Sequence, residues 1–168
     1  MEKVVLLALS EYNAYANRVL LETAAQVSAK DLEDVQSPSR ENVLNLIRHM
    51  TLVEAGYLAQ LRDIPLNVDR ELVSNLEGIA DLAARTGAGL KDYLSLTSEK
   101  ELLQTGEVMI GGHPFRFPPW QMLLQVFSHS AAHRGEMSIL LSEMGYPLPV
   151  QDMIVRFAEE SGQDWPWK

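Results

Sequence analysis

Apolar side chains recur at alternating steps of three and four residues along most of the chain, which is the spacing of an amphipathic helix. The pattern predicts four long helices, over residues 3–28, 39–62, 71–97 and 119–144. It also predicts one short closing helix over residues 150–160. Amphipathic helices of this length bury their apolar stripes against one another, so the pattern favours an all-α four-helix bundle.

Polar and glycine residues between the stripes suggest where the helices begin and end. Ser37 suits the N-cap of the second helix and Pro38 its first turn, while Gly145 suits the end of the fourth. Gly87 and Gly89 weaken the middle of the third helix and allow a bend. These signals predict short connections except between the third and fourth helices.

The longer segment between the third and fourth helices has a different pattern. Its sequence GEVMIGGHPFRFPP sets Gly111 and Gly112 between two short runs, which is typical of a tight hairpin. We therefore expect a crossover segment that contains a short hairpin. No repeat or second domain is visible, so residues 1–168 are interpreted as a single domain, with an irregular tail over 161–168.

Composition excludes several classes of function. The 168 residues include no cysteine, which rules out disulfides, thiolate metal ligands and a cysteine nucleophile. The net charge is −9 and lysine and arginine form no cluster, so nucleic acid is not expected as a partner. No apolar run reaches the roughly 18 residues of a membrane span, and Glu11 and Asn13 interrupt the apolar N-terminus. We expect a cytoplasmic protein without a membrane partner.

Three histidines carry the candidate chemistry. His129 and His133 are four residues apart on the apolar stripe of the fourth helix, so both imidazoles point inward and lie one turn apart. His49 lies at the edge of the buried face of the second helix. A single inward histidine is usually satisfied by a hydrogen bond, but a pair in an apolar interior is satisfied together by a metal ion. We predict one divalent metal ion on these three residues.

Neighbouring residues narrow the type of site. The sequence HSAAH lacks the glutamate that follows the first histidine in zinc peptidases, and the paired carboxylates of di-iron bundles are missing. A mononuclear site with three protein ligands leaves a position for water or substrate. Glu54, Arg134 and Glu136 are weak candidates for catalytic roles. His113, in the turn GGHPF, is interpreted as an exposed loop residue rather than a fourth ligand.

At these residues the chain resembles the DinB-like (YfiT-like) superfamily, whose members carry one histidine on the second helix and an H-x-x-x-H pair on the long helix after the crossover. The matching segments are RHM at His49 and HSAAHRGEMSILLSEMGYP from His129. The resemblance implies an up-up-down-down four-helix bundle, a His-triad site for nickel, zinc or a similar ion, and a homodimer. Some relatives resemble thiol S-transferases that use bacillithiol, mycothiol or glutathione. Glu136 stands where glutamine is common, which leaves the substrate open.

Three hypotheses follow. The first is a metal-dependent transferase in which a small thiol fills the open position of the ion, with nickel or zinc preferred and iron or manganese as alternatives. The second is a metal-dependent hydrolase with Glu136 or Glu54 as the base. The third is a non-catalytic dimeric bundle whose metal is structural or whose histidines bind none.

Overall fold

A computed structural model of the chain describes residues 3–164 and 166. Its elements, in chain order, are α1 (Lys3–Ala24), α2 (Ala29–Asp34), α3 (Val43–Leu61), α4 (Leu76–Leu96), α5 (Glu99–Leu103), β1 (Gly106–Ile110), β2 (His113–Phe117), α6 (Pro119–Glu143) and α7 (Met153–Glu160). The structure confirms a helical bundle, formed by α1, α3, α4 and α6. None of the helices in the described ranges has the length and apolar composition needed to cross a bilayer.

The four long helices form a ring in which α1 and α3 each pack against both α4 and α6. Contacts along α1 and α4 show that these helices are antiparallel. Lys3 at the start of α1 donates to the Ser95 carbonyl near the end of α4, at 2.8 Å, and Glu11 lies 2.7 Å from Lys91. The apolar faces therefore meet as predicted, and the contacts also establish helix direction.

Helices α3 and α4 run in the same direction. Arg48 near the start of α3 donates to the carbonyls of Val73 and Ser74, just before α4, and Arg62 beyond the end of α3 donates to Gly89. Helix α6 runs against α3 and along α1. The order of directions is up-down-down-up, so the up-up-down-down order implied by the family resemblance is wrong for this chain.

The connections explain this order. Residues 62–75, which contain no regular helix, lie between the end of α3 and the start of α4. Extended chain advances roughly 3.3 Å per residue and helix only about 1.5 Å, so this segment can return along the 19-residue α3. The connection that runs the length of the bundle is therefore the one between α3 and α4. The segment between α4 and α6, which was predicted as the crossover, joins two helices at the same end of the bundle.

The predicted hairpin is confirmed. Strands β1 and β2 pair antiparallel, with Ile110 opposite His113. Gly111 and Gly112 form the two-residue turn with φ of 60° and 81°, a backbone conformation that favours glycine at both positions.

Several predicted boundaries differ from the structure. Asn42, not Ser37, caps α3, because the Asn42 side chain accepts from the Asn45 amide. The third predicted helix begins only at Leu76, and Leu72 is exposed. Two short helices, α2 and α5, lie in segments that were expected to be irregular. Residues 161–164 follow α7 without helix; Trp165, Trp167 and Lys168 lie outside the described residues.

Close helix packing explains the glycines of α4, which continues without interruption from Leu76 to Leu96. A Cβ on Gly87 would lie 3.1 Å from the Cβ of Ala14 on α1. Small residues thus allow α1 and α4 to approach closely.

We predict that Gly78→Ala destabilises the protein. A Cβ on Gly78 would lie 1.4 Å from the Leu72 carbonyl oxygen, so the backbone before α4 would have to move. That movement would disturb the buried Val73 and its hydrogen bond from Arg48. We expect urea denaturation to show a loss of roughly 1–3 kcal/mol.

Gly135→Ala is the matched control for this prediction, because nothing lies within 4 Å of a Cβ on the helical Gly135. It should raise the free energy of unfolding by up to about 1 kcal/mol through helix propensity. Equal stability of the Gly78 variant and the native protein would contradict the prediction.

Candidate metal centre

The structure brings His49, His129 and His133 together. His49 projects from α3, and the other two project from successive turns of α6. The Nε2 atom of His129 lies 3.2 Å from Nε2 of His49 and 3.1 Å from Nε2 of His133. One nitrogen from each ring lies within 4.8 Å of the other two, and these three imidazoles could hold a metal ion.

The nitrogen spacing fits a shared metal ion. With zinc–nitrogen distances of about 2.0–2.1 Å and tetrahedral angles, two imidazole nitrogens on one ion lie roughly 3.3–3.4 Å apart. The distances of 3.1 and 3.2 Å differ from this by a few tenths of an ångström. Each histidine is half-buried, so the cluster has a protein side and a side open to small molecules.

The environment keeps these imidazoles neutral, which is the form that binds metal. The pKa of His129 is lowered to about 4, chiefly by burial and in smaller part by the charges of His133, His49 and Arg40. Burial and the Arg40 guanidinium also lower the pKa values of His49 and His133; for His133 the carboxylate of Glu136 opposes this. The lone pairs are therefore available near neutral pH.

Glu136, on α6, holds the segment that precedes α3 against the bundle. Its carboxylate accepts hydrogen bonds from the Ser37 hydroxyl at 2.6 Å, the Ser39 hydroxyl at 2.6 Å and the Ser39 amide at 3.2 Å. Burial raises the pKa of Glu136, but these hydrogen bonds outweigh it and the pKa is lowered overall. The His133 Nδ1 atom lies 3.9 Å from the carboxylate. Glu136 is thus an anchored anion rather than a free base.

Glu54 and Arg134 belong to a buried polar network beside the histidines. Glu54 Oε1 accepts from Asn13 at 2.9 Å, from Asn17 at 2.8 Å and from the Ser130 hydroxyl. Arg134 donates to the side-chain oxygens of the same two asparagines, at 2.7 and 2.6 Å. Glu54 is 1% exposed and Arg134 is 7% exposed. The two opposite charges are therefore joined through the asparagines, which ties α1, α3 and α6 together.

The sequence interpretation missed Asn13 and Asn17 as partners of this network. A signal was present, because the asparagines are four residues apart on α1 just as Ser130 and Arg134 are on α6. Arg40, whose Nη2 lies 2.6 Å from His49 Nε2, was not predicted as part of the site either. No periodic pattern marks Arg40, since it lies in the irregular segment before α3.

His113 lies apart from the cluster, exposed at the start of β2, and the nitrogen group of the triad does not include it. An open, largely apolar cavity of about 1000 Å³ lies between α1 and α4, and its lining includes Ala14 and Gly87 but none of the three histidines. The histidine cluster, not this cavity, combines convergent polar atoms with perturbed pKa values.

Fold and site together define a helical-bundle protein with a candidate mononuclear metal centre. The model of the DinB family matches residues 1–163, and the chain belongs to that family. The solved structure of the DinB-like protein YjoA from Bacillus subtilis is similar in fold, with a TM-score of 0.63 and 16% sequence identity over 86% of this chain and 96% of that chain. No curated protein matches this chain by sequence.

We predict that metal-free protein loses stability as the pH falls from about 6.5 to about 4. The unfolded chain binds a proton on His129 near its ordinary pKa of 6.5, whereas the folded protein binds it only near 4. The unfolded state therefore holds more protons across this window. The free energy of unfolding decreases as the pH is lowered through the window, and this contribution becomes constant at lower pH.

Urea denaturation with a chelator present would measure this dependence. His129→Gln should flatten the curve between these pH values, and His113→Gln should leave it unchanged. An equal slope in the His129 variant and the native protein would contradict the assignment.

We also predict that Glu54→Leu lowers the free energy of unfolding by about 3–5 kcal/mol, because Arg134 would remain buried without its counter-charge. Adding Arg134→Met should cost less than the sum of the two single changes, with a coupling of at least about 1 kcal/mol. Urea denaturation of the double-mutant cycle provides the test. Glu33→Leu, on an exposed residue of α2, is the control, and strict additivity would rule out the coupled network.

Proposed function

We propose that this protein is a divalent-metal-dependent thiol S-transferase. The observation that supports it best is the convergence of three Nε2 atoms, with neighbouring pairs 3.1 and 3.2 Å apart. Histidine-only ligation suits nickel, zinc or iron better than calcium or magnesium. We propose nickel or zinc as the ion, with iron or manganese as alternatives.

In this proposal His49, His129 and His133 are the metal ligands. When bound, a divalent ion would supply a Lewis acid that stabilises the thiolate form of a thiol placed beside it. The three neutral donors leave the positive charge of the ion uncompensated, so an anionic sulfur is favoured at the open side. The thiolate sulfur would then form a bond to an electrophilic carbon, whose leaving group departs with the bonding electrons while the thiol proton passes to water.

The state of the nearby carboxylates favours thiol transfer over hydrolysis. A hydrolase requires a base for water, and Glu136 and Glu54 were the sequence candidates. Glu136 is bonded to Ser37 and Ser39, and Glu54 is buried in hydrogen bonds to Asn13, Asn17 and Ser130. A thiol ionises at much lower pH than water, so it needs no such base.

A homodimer and a cytoplasmic location remain predictions from the sequence and the family resemblance. The cavity between α1 and α4 is the surface we propose for a second copy, since it is largely apolar and includes the small residues Ala84 and Ala88.

The first test is elemental analysis of protein expressed without an affinity tag. We expect about one equivalent of metal in the native protein and none in the His49→Ala, His129→Ala, His133→Ala triple variant. His113→Ala is the control and should keep the metal. Failure of the native protein to bind nickel, zinc, iron or manganese, even after titration, would overturn the proposal.

The activity is tested with the metal-loaded protein. A panel of thiols with a chloro-substituted fluorogenic electrophile should give turnover that the triple variant lacks. Ester and lactone substrates test the hydrolase alternative. Turnover of esters alone would replace the transferase by a hydrolase, and metal binding without any turnover would favour a structural metal.

A further inference from the structure

Arg40 places a positive charge at the edge of the histidine cluster. The residue is exposed and lies in the segment between α2 and α3. Its Nη2 atom is 2.6 Å from Nε2 of His49, the same nitrogen that lies 3.2 Å from His129 Nε2. The guanidinium therefore contacts a nitrogen that would bind a metal ion, rather than the opposite side of the imidazole ring.

In the described part of the chain, no carboxylate neutralises Arg40. Among residues 3–164 and 166, no acidic side chain lies within ion-pair distance of it. Its other contacts are to the backbone segment that carries it: Nη1 donates to the Ser39 carbonyl at 2.6 Å, and the Arg40 amide donates to the Ser37 hydroxyl at 3.0 Å. The charge is free to pair with a ligand.

The position of this charge is held by other residues. Ser37 and Ser39 both donate to Glu136 on α6, one turn beyond His133, so the backbone around Arg40 is fastened to the helix that carries two of the histidines. Ser37 is itself buried. The backbone of Arg40 is therefore held in place, while its flexible cationic side chain lies at the open side of the site.

A bound metal would change what Arg40 can contact. The lone pair of His49 would then point to the ion, so Arg40 would lose this partner and two positive charges would lie close together. A thiolate alone offsets part of the charge of the ion. A second anionic group on the same ligand would offset the charge of Arg40, whose planar fork matches a carboxylate.

We propose that Arg40 is a specificity-determining residue that binds a carboxylate of the substrate, so that the thiol taken by this site is an anionic one. The inference rests on the proposed function and deepens it by naming the substrate class. The overall charge of −9 would by itself repel such a ligand. A preference for an anionic thiol must therefore come from a local cation.

The test compares two thiols of similar size, 3-mercaptopropionate and 2-mercaptoethanol, of which only the first carries a carboxylate. Each is titrated into cobalt(II)-loaded protein while the sulfur-to-cobalt charge-transfer absorption is recorded, so the readout is binding and not turnover. We expect the native protein to prefer 3-mercaptopropionate by about tenfold. Arg40→Gln should remove this preference and leave the affinity for 2-mercaptoethanol within about twofold.

Arg85→Gln is the matched control, because Arg85 is exposed on α4 and its side chain donates one hydrogen bond, to the Asp81 carbonyl, among the described residues. It should keep the native preference. The cobalt ligand-field spectrum of each variant reports whether the three histidines still hold the ion.

The outcomes separate the two proposals. Equal affinity of the native protein for both thiols, or a preference that survives in Arg40→Gln, would overturn the role of Arg40 while the metal-dependent function stands. Failure of the native protein to take up cobalt, zinc or nickel would overturn the proposed function and this inference with it.

Discussion

The hydrogen bonds that join Glu54 to Arg134 through Asn13 and Asn17 are the interaction on which the interior of this bundle depends. Buried charges are costly unless they are paired and hydrogen-bonded, so helices that carry them can pack only in registers that keep the partners together. Apolar stripes tolerate sliding much better, because one leucine can replace another in a contact. The network therefore fixes α1, α3 and α6 relative to one another.

The position of the histidine cluster follows from that register. Ser130 and Arg134 come directly after His129 and His133, and each step along a helix turns the side chain by about 100°. The network residues thus point further into the bundle while the imidazoles lie at its half-buried edge. Because Glu54 and His49 share α3, pairing Glu54 with Ser130 also brings His49 opposite His129. A cluster fixed in this way is organised before any ligand binds.

Two glutamates near the site illustrate how tertiary contacts assign different roles to the same residue type. Glu54 holds helices together from the interior, and Glu136 fastens the segment that carries Arg40. Both were candidate bases because they lie close to a histidine of the cluster in the sequence. In the structure, the carboxylate oxygens of each accept hydrogen bonds from other side chains. Arg40, by contrast, has no carboxylate partner among the described residues, so its charge at the edge of the cluster favours an anionic ligand.

The sequence by itself determined the four long helices, the hairpin at Gly111 and Gly112 and the three candidate histidines, because periodicity and i,i+4 spacing are local properties of a chain. Only the tertiary structure decided helix direction, the partners of Glu54 and Glu136 and the position of Arg40. Apolar periodicity shows which face of a helix is buried but not which way the helix runs. Contacts such as Arg40 with His49 join an irregular segment to a helix, and no spacing along the sequence encodes them; they exist only once packing has fixed the register of the bundle.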